Sequence, residues 1–596
     1  MNKIIQALTC ASLLFLSWES SAFGRAMQNI QDRQITALDG DWHTIVDPFE
    51  NGFYNHRYEE KDNGYFKNAK PQSPSDRIEY DFDTSPTLKV PGDWNTQRKE
   101  LYYYEGTIWY KKSFELRAKS NSRHFIYFGA ANYHTIVYLN GNKLGEHIGG
   151  FTPFEFEITD RIKSGENVLV VKVDNKRKLS AVPTVNTDWW NYGGITRSVY
   201  LVETPDTFIR NYRIGLNKND PTMLEGWVDL DGTQLNDTIS LNIEGLKAPL
   251  SAKTDKNGRA YFNSKADLKK WSPDTPHLHD LTISSSQDSV QDEIGFRTIT
   301  TKGKDILLNG KSIFLKGISI HEEAKEGGRA YSEEHARELL GWAKELGANF
   351  VRLAHYPHNE TMVRMAERMG LMVWSEIPVY WTIQWENKDT FKNAQSQLAD
   401  MIDRDKNRAA IVMWSVANET PIGDSRMSFL TRLIETARSL DGSRLITAAL
   451  DQVEETPGVR TISDPLGNYI DVIGINEYIG WYDGLPEKAR EVSWQNEFDK
   501  PLIISEFGGG ALAGYHGDPL TRWTEEYQEL IYREQIPMLE RIDSLRGISP
   551  WILKDFRSPR RHLPGIQDDW NRKGLISEKG EKKKAFEVLK NYYERK

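Results

Sequence analysis

The first half of the sequence alternates apolar and polar positions over short stretches. These stretches are rich in β-branched and aromatic residues, which is typical of half-buried strands, and they include 107–114, 124–128, 135–139 and 167–173. The triplet Asn140-Gly141-Asn142 predicts a hairpin turn between two strands. We therefore expect a jelly-roll β-sandwich over residues 23–204 and an immunoglobulin-like β-sandwich over 205–300.

From about residue 301 the pattern changes to short apolar runs that alternate with longer amphipathic ones. This alternation predicts β/α repeats around a parallel sheet. Eight candidate strands can be counted, at 314–319, 350–355, 371–377, 411–418, 445–450, 472–477, 502–506 and 548–553. Eight repeats in this length predict a (β/α)₈ TIM barrel over 301–596.

The N-terminus has the pattern of a signal peptide over residues 1–22. Lys3 is followed by an apolar run at 4–16 that is too short to cross a bilayer, and then by small residues that end at Ala22. The sequence therefore predicts an exported bacterial protein, periplasmic or secreted, with no membrane span. Its only cysteine, Cys10, lies in this segment. Cys10 as a site of lipid attachment is the alternative, which the bulky Thr9 before it disfavours.

The composition restricts the kinds of ligand and partner that the protein is expected to bind. The 596 residues carry a net charge of -9, with 39% hydrophobic and 27% charged residues, which indicates a soluble, multidomain globular protein. No basic footprint for nucleic acid is present. The 13 histidines form no HExxH motif, and no phosphate loop or dinucleotide fingerprint occurs, so neither a metal nor a cofactor is predicted. The 18 Trp and 26 Tyr suit stacking on sugar rings as well as core packing.

Carboxylates, amides and aromatic residues follow the predicted barrel strands. In TIM barrels the C-terminal strand ends build the active site, and these ends carry His355, Glu376, Asn418, Glu419, Asn476, Glu477, Tyr478, Glu506 and Trp551. Glycoside hydrolysis requires one carboxyl to protonate the leaving oxygen and a second to attack or stabilise the sugar.

Glu419 and Glu506 are the strongest candidates for this pair. A carboxylate after a strand can also cap a helix or pair with an arginine, and position alone does not separate these roles. Asn418, directly before Glu419, favours the functional interpretation because an amide there can bind a sugar hydroxyl. The glycines at 508–510 let backbone and ligand approach Glu506 closely.

Long motifs then make the chain resemble glycoside hydrolase family 2 over nearly all of its length. They are IGFR at 294–297, LNGK at 308–311, VMWSVANE at 412–419 and ISEFG at 504–508. The resemblance implies that Glu419 is the acid/base and Glu506 the nucleophile of a retaining double displacement. In that mechanism the charge of Glu506 raises the pKa of Glu419. The resemblance also implies a homo-oligomer.

Within the family the sequence is most similar to β-glucuronidases. The matching segments are DWWNYGG at 188–194, NEYIGWY at 476–482, AGYH at 513–516, TEEYQ at 524–528 and NRKG at 571–574. The likeness implies that Asn571 and Lys573 bind a uronate carboxylate and that Tyr478 holds the nucleophile. It also implies a sugar subsite lined by Asp188, His355, Tyr482 and Trp551. His355 could equally be a strand-end histidine without a ligand.

Two departures and three rival functions stay open. Residues 551–556 (WILKDF) differ from the usual WNFADF, and the following loop carries Arg557, Arg560, Arg561 and His562. This loop is either a solvated basic segment or a contact for an anionic glycan. The rivals are a β-galactosidase or another exo-β-glycosidase of the family, an inactive carbohydrate-binding protein, and a scaffold for protein partners.

Overall fold

The computed structural model describes residues 26–60, 80–116, 122–325 and 327–596, together with 73 and 75. The predicted signal peptide at 1–22 lies outside the described residues. Within these ranges, no helix combines the length and the apolar character that crossing a membrane requires.

The first domain is a sandwich of two antiparallel sheets. Its strands are β1 (Gln34–Ala37), β2 (Gly40–Val46), β3 (Thr87–Val90), β4 (Thr107–Leu116), β5 (Ser122–Phe128), β6 (His134–Leu139), β7 (Asn142–Ile148), β8 (Phe154–Glu157), β9 (Gly165–Asp174) and β10 (Val199–Pro205). One sheet has the order β1-β10-β5-β8 and the other β3-β2-β4-β9-β6-β7. The predicted turn is confirmed: Asn140 and Gly141 have φ of 51° and 86° between the paired strands β6 and β7.

The second domain is a smaller sandwich. Its strands are β11 (Phe208–Leu216), β12 (Met223–Asp231), β13 (Thr238–Ile243), β14 (Leu250–Lys253), β15 (Arg259–Lys265), β16 (His279–Ser284) and β17 (Ser289–Ile294). They form the sheets β11-β12-β15 and β14-β13-β16-β17. Alternate side chains along β12 and β17 are buried between the sheets, as the period of two in the sequence predicts. A three-stranded sheet then leads into the third domain and contains β18 (Ile299–Lys302), β19 (Asp305–Leu308) and β20 (Lys311–Ser312).

The third domain is a closed parallel barrel of eight strands, which confirms the predicted fold class. The barrel strands are β21 (Leu315–His321), β22 (Phe350–Ala354), β23 (Met372–Glu376), β24 (Ile411–Asn418), β25 (Leu445–Leu450), β28 (Val472–Asn476), β30 (Leu502–Glu506) and β31 (Leu545–Ile548). Small sheets at the rim contain β26 (Val453–Thr456), β27 (Val459–Ile462), β29 (Ser493–Asn496), β32 (Phe556–Arg557) and β33 (Trp570–Asn571).

The last barrel strand was predicted wrongly at 548–553. It ends at Ile548, because Pro550 has no N–H to donate to a ladder. The segment beyond it stays buried, and its N–H groups reach the ends of neighbouring strands: Trp551 N donates to Phe507 O at 2.9 Å and Leu553 N to Ser319 O at 2.9 Å. Trp551 therefore stands on an irregular wall rather than on a strand.

The helices surround the barrel. Besides the short α1 (Trp94–Gln97) of the first domain, they are α2 (Glu333–Glu345), α3 (Glu360–Met369), α4 (Lys388–Asp405), α5 (Asp424–Leu440), α6 (Glu525–Leu539) and α7 (Lys584–Arg595). Local signals set their ends: the Ser332 hydroxyl caps α2 and Gly370, at φ 69°, ends α3. In the described chain, β25 and β28 are followed by 3₁₀ turns instead of α-helices.

Buried ion pairs join both sandwiches to the barrel. Arg197 of the first domain donates to Glu322 at 3.1 Å. Asp292 of the second domain accepts from Arg364 at 2.9 Å and also pairs with Arg408. Burial alone would raise the pKa of Asp292, but these arginines hold it down at about 2. Separating the domains would leave these buried charges without partners, which is strongly destabilising, so the ion pairs hold the three domains together.

Candidate active site

The end of β30 places Glu506 at the bottom of the barrel mouth, where two donors hold its carboxylate. Arg352 Nη1 donates to Glu506 Oε1 at 2.8 Å, and the Tyr478 hydroxyl donates to Oε2 at 2.6 Å. Glu506 is only 5% exposed. One oxygen is therefore bound by a cation and the other by a phenol, which fixes the direction in which the carboxylate faces the mouth. The expected contact between Tyr478 and Glu506 is present.

Arg352 lies beneath this carboxylate and was not predicted from the sequence. It is fully buried, and its guanidinium also donates to both oxygens of Glu376, each at 3.1 Å. Burial opposes its charge, but Glu376 and Glu506 raise the pKa of Arg352 above its ordinary value. Conversely, burial would raise the pKa of Glu376, and Arg352 lowers it to about 2. The signal that could have revealed Arg352 is a charged residue inside the apolar strand FVRLA.

Glu419 lies directly after β24 and accepts two hydrogen bonds. Trp381 Nε1 donates to Oε2 at 2.7 Å and Asn476 Nδ2 to Oε1 at 2.9 Å. Both Glu419 and Trp381 have positive φ, 47° and 54°, a strained backbone conformation that is concentrated at functional sites. Burial first and the negative charge of Glu506 second raise the pKa of Glu419 to about 8. The two glutamates thus differ in environment: a cation holds Glu506, and none pairs with Glu419 among the described residues.

Asn418 leaves one donor unused between the two carboxylates. Its Oδ1 accepts from Arg352 Nη2 at 2.7 Å, which fixes the orientation of the amide. Its Nδ2 is buried and makes no hydrogen bond within the described structure. A buried donor without a partner is costly, and a sugar hydroxyl at the mouth would satisfy it.

Aromatic rings wall the mouth on one side. His355 stacks on Trp551 with centroids 4.6 Å apart and planes at 20°, and Tyr380 and Trp189 lie 4.9 and 5.6 Å from His355. His355 Nδ1 also lies 2.8 Å from Glu376 Oε1, so its ring is held from behind. Trp189 comes from the first domain. The active-site wall is therefore built by two domains.

Asp188 reaches the mouth, but its acceptor positions are already filled. Arg561 binds both oxygens, Ser558 Oγ donates to Oδ1 at 2.6 Å, and Asn571 Nδ2 donates to Oδ2 at 3.1 Å. A carboxylate accepts about four hydrogen bonds. Asp188 thus positions Arg561 and Asn571, and no pattern in the sequence indicates that an arginine would occupy its carboxylate.

Lys573 has no carboxylate partner in the described part of the chain. It is 4% exposed, and its Nζ donates to the Tyr482 hydroxyl at 2.8 Å. The rings of Tyr478 and Tyr482 lie 5.5 and 4.8 Å from this ammonium. Burial would raise the pKa of Tyr482, but Lys573 and Arg561 lower it below its ordinary value. The structure therefore brings Lys573, Tyr482, Asn571 and Asp188 together with Arg561, and this cluster holds two cations and one carboxylate.

The Arg557–His562 loop makes specific contacts at the mouth. Arg557 packs on the rings of Tyr102 and Trp570, and His562 Nδ1 lies 2.8 Å from Asp569 Oδ1. Lys554, in the segment that departs from the β-glucuronidase pattern, is buried and turned toward Glu323 at 4.0 Å. The loop is thus tied to both the sandwich and the barrel, whereas Lys554 belongs to the wall behind the site.

Family models match most of the chain. Residues 35–205 match the sugar binding domain of glycosyl hydrolases family 2, and residues 299–595 match the TIM barrel domain of the same family. A β-glucuronidase of Paenibacillus borealis is 28% identical over 560 residues, which cover 85% of this chain and 91% of that protein. The β-glucuronidase of Homo sapiens is 27% identical over 574 residues, or 86% of each chain. The chain also covers 66% of a longer relative from Formosa agariphila, at 29% identity.

Solved structures of related enzymes are also similar to this chain. The β-glucuronidase of Bifidobacterium dentium complexed with coumarin-3-O-glucuronide superposes with a TM-score of 0.81 at 25% identity, covering 95% of this chain and 98% of that one. A β-galacturonidase of Eisenbergiella tayi bound to galacturonate has a TM-score of 0.80 at 24% identity, covering 96% and 98%. The second likeness concerns the fold alone.

Proposed function

Because the chain belongs to glycosyl hydrolases family 2 and is an exo-glycosidase of that family, we propose that it removes terminal β-D-glucuronosyl residues with retention of configuration. Glycan breakdown would be its role. The catalytic pair would be Glu419 and Glu506, and the uronate group would bind at Lys573.

The observation that carries the choice of sugar is the buried, unbalanced ammonium of Lys573. A buried charge without a counter-ion is costly, and an incoming carboxylate would relieve that cost. Asn571, two residues earlier, supplies an amide in the same cluster. Relatives named β-glucuronidases support the assignment. A neutral sugar would leave the ammonium without an anion.

In the first step, Glu506 attacks the anomeric carbon while the bond to the leaving oxygen breaks. Arg352 and Tyr478 orient the attacking carboxylate. Glu419 delivers its proton to the leaving oxygen, and a pKa of about 8 keeps that proton in place at neutral pH. Asn418 Nδ2 would bind a sugar hydroxyl beside the reacting carbon.

In the second step, water replaces Glu506 on the anomeric carbon. Glycosylation of Glu506 removes its negative charge, and with it the second cause of the raised pKa of Glu419. Glu419 then accepts a proton from the attacking water, and Glu506 leaves as a carboxylate. Two inversions restore the β configuration. Retaining enzymes place the two carboxyl groups about 5–5.5 Å apart.

The test is hydrolysis of aryl β-glucuronide, β-galacturonide and β-galactoside by the wild type and by Glu506→Gln, with the first-formed anomer identified by NMR. We expect the glucuronide to be the best substrate and the β anomer to form first. Glu506→Gln should lose at least about a thousandfold in kcat, because the covalent route is removed.

Each other outcome removes a defined part of the proposal. A faster galacturonide keeps the uronate site and changes the sugar, whereas activity on the galactoside alone overturns the role of Lys573. The α anomer as first product would exclude double displacement. Turnover of none of the three, with glycan binding retained, would favour an inactive binding protein.

A further inference from the structure

The acid/base residue identifies which side of the mouth receives the leaving group. Glu419 must touch the leaving oxygen, so the side chains packed around its carboxyl border the leaving-group subsite. Trp381 is one of them, since its indole N–H donates to Glu419 Oε2 at 2.7 Å. The indole ring of Trp381 in turn contacts an arginine of the basic loop.

Arg560 lies on the ring of Trp381, with its guanidinium carbon 4.8 Å from the centroid. Its Nη1 also donates to Asn186 Oδ1 of the first domain. These two contacts hold the guanidinium one indole ring away from the carboxyl of Glu419, and the Arg560 side chain is exposed at the mouth.

Arg560 differs in its charge balance from the residue that follows it. Arg561 forms a bidentate pair with Asp188. Arg560 has no carboxylate within ion-pair distance among the described residues, and it contacts the neutral side chains of Asn186, Ser558 and Trp381. An oriented guanidinium without an acid partner is suited to bind a planar or tetrahedral oxyanion.

We propose that Arg560 binds an anionic substituent, a sulfate ester or a carboxylate, on the sugar that leaves. The substrate is then an acidic glycan that carries charge on both sides of the scissile bond: a uronate at Lys573 and a second anion at Arg560. This inference rests on the proposed function for its first sugar and for the acid/base role of Glu419. The contacts that orient Arg560 depend on neither assignment.

The test compares three β-glucuronosyl disaccharides that differ only in the leaving sugar: a neutral hexose, the same hexose with one sulfate ester at O3 or O6, and the corresponding hexuronic acid. We expect the wild type to prefer an anionic leaving sugar by about fivefold in kcat/KM, the size of a partly exposed ion pair. The preference should decrease at high salt. Comparison of the sulfate with the carboxylate identifies the anion.

Three variants separate the charge of Arg560 from its packing. Arg560→Gln should abolish the preference, and Arg560→Lys should keep part of it, because an ammonium retains charge without the fork. Arg259→Gln is the matched control, since Arg259 stacks on Trp227 at 4.2 Å in the second domain; it should keep the full preference. Equal preference in wild type and Arg560→Gln would overturn the proposal, as would no preference in the wild type.

A second measurement does not depend on the first sugar. The free leaving sugars are titrated on to the wild type and Arg560→Gln by ligand-observed NMR. Tighter binding of an anionic hexose than of the neutral one, lost in Arg560→Gln, supports the site even if no glucuronide is hydrolysed. Equal binding of anionic and neutral hexoses by the wild type counts against it, whatever the outcome for glucuronides.

Discussion

The floor and the rim of the mouth treat charge in opposite ways. On the floor, Arg352 is shared between Glu376 and Glu506, and all three are buried with their charges paired. On the rim, Lys573 and Arg560 have no carboxylate partner among the described residues, and their contacts are with hydroxyl, amide and aromatic groups.

This difference separates reaction from recognition. A paired, fully hydrogen-bonded floor has one arrangement, so the carboxylate of Glu506, the proposed nucleophile, is fixed before a substrate arrives. The unpaired cations of the rim favour binding of a substrate that supplies the missing anion. The chemistry would then be common to the family, while the choice of glycan depends on a few cations around the opening.

The largest expected effect comes from breaking the floor. Arg352→Lys keeps one positive charge but cannot hold both carboxylates, so we expect kcat to fall by about a hundredfold with a smaller change in KM. The acidic limb of the pH profile should move to higher pH, because Arg352 holds the pKa of Glu376 at about 2 and a lysine would hold it down less well. Steady-state kinetics across pH measures both effects.

An arginine away from the mouth, with a side chain that is 7% exposed, is the control. Arg404→Lys changes a bidentate pair with Asp405 in α4 and should leave the pH profile unmoved. If both variants lose kcat equally and neither profile moves, Arg352 acts only through stability and not by positioning Glu506.

Removing the cation from the rim should have a smaller and selective effect. Lys573→Met keeps the length of the side chain, and we expect kcat/KM for an aryl β-glucuronide to fall by about thirtyfold, since a charge-assisted hydrogen bond contributes roughly 1.5–3 kcal/mol. The loss for a neutral aryl β-glycoside should be much smaller. Equal losses on both substrates would show that Lys573 supports the fold of the site rather than the uronate.

The smallest expected effect, taken per pH unit, concerns stability. Folded Glu419 keeps its proton up to about pH 8, whereas in the unfolded chain it loses it above its ordinary value of 4.5. The unfolded state therefore binds fewer protons in this window, and Glu419 makes the protein less stable as pH rises. Glu419→Gln removes this contribution. As pH rises, the free energy of unfolding of the variant should therefore increase relative to that of the wild type, by up to about 1 kcal/mol per pH unit.

Thermal unfolding of both proteins between pH 5 and pH 8 measures this slope. Glu435→Gln, an exposed change in α5, controls for the loss of one carboxyl. The hydrolysis rate of the wild type should also fall as pH rises through about 8, because the acid form of Glu419 is then lost. A difference in stability that does not change with pH would mean that Glu419 is ionised in the folded protein.

The sequence allowed the barrel and its two glutamates to be predicted because both follow from local order. Apolar runs of strand length ended at Glu419 and Glu506, and strand ends of a barrel meet at one mouth. Arg352 was missed since pattern analysis assigns a charged residue to the surface. Trp381 was missed because it lies on a loop beyond β23, where no periodicity predicts direction.

The contacts of the basic loop could not be predicted either. Arg560 and Arg561 are neighbours of the same type, yet one stacks on Trp381 and the other binds Asp188. Their different partners come from another domain and another loop, more than 150 positions away in the sequence for Trp381 and more than 350 for Asp188. Only the assembled fold distinguishes a cation that is already neutralised from one that is available.

Asp188, Trp189 and Asn186 contribute to the mouth, so the barrel by itself does not form the complete site. These residues belong to the sandwich and meet the barrel loop through Arg560 and Arg561. A barrel expressed alone, or grafted on to the sandwich of a relative, would lose one wall of its own pocket. Any change of substrate by exchange of parts therefore has to move the sandwich loop and the basic loop together.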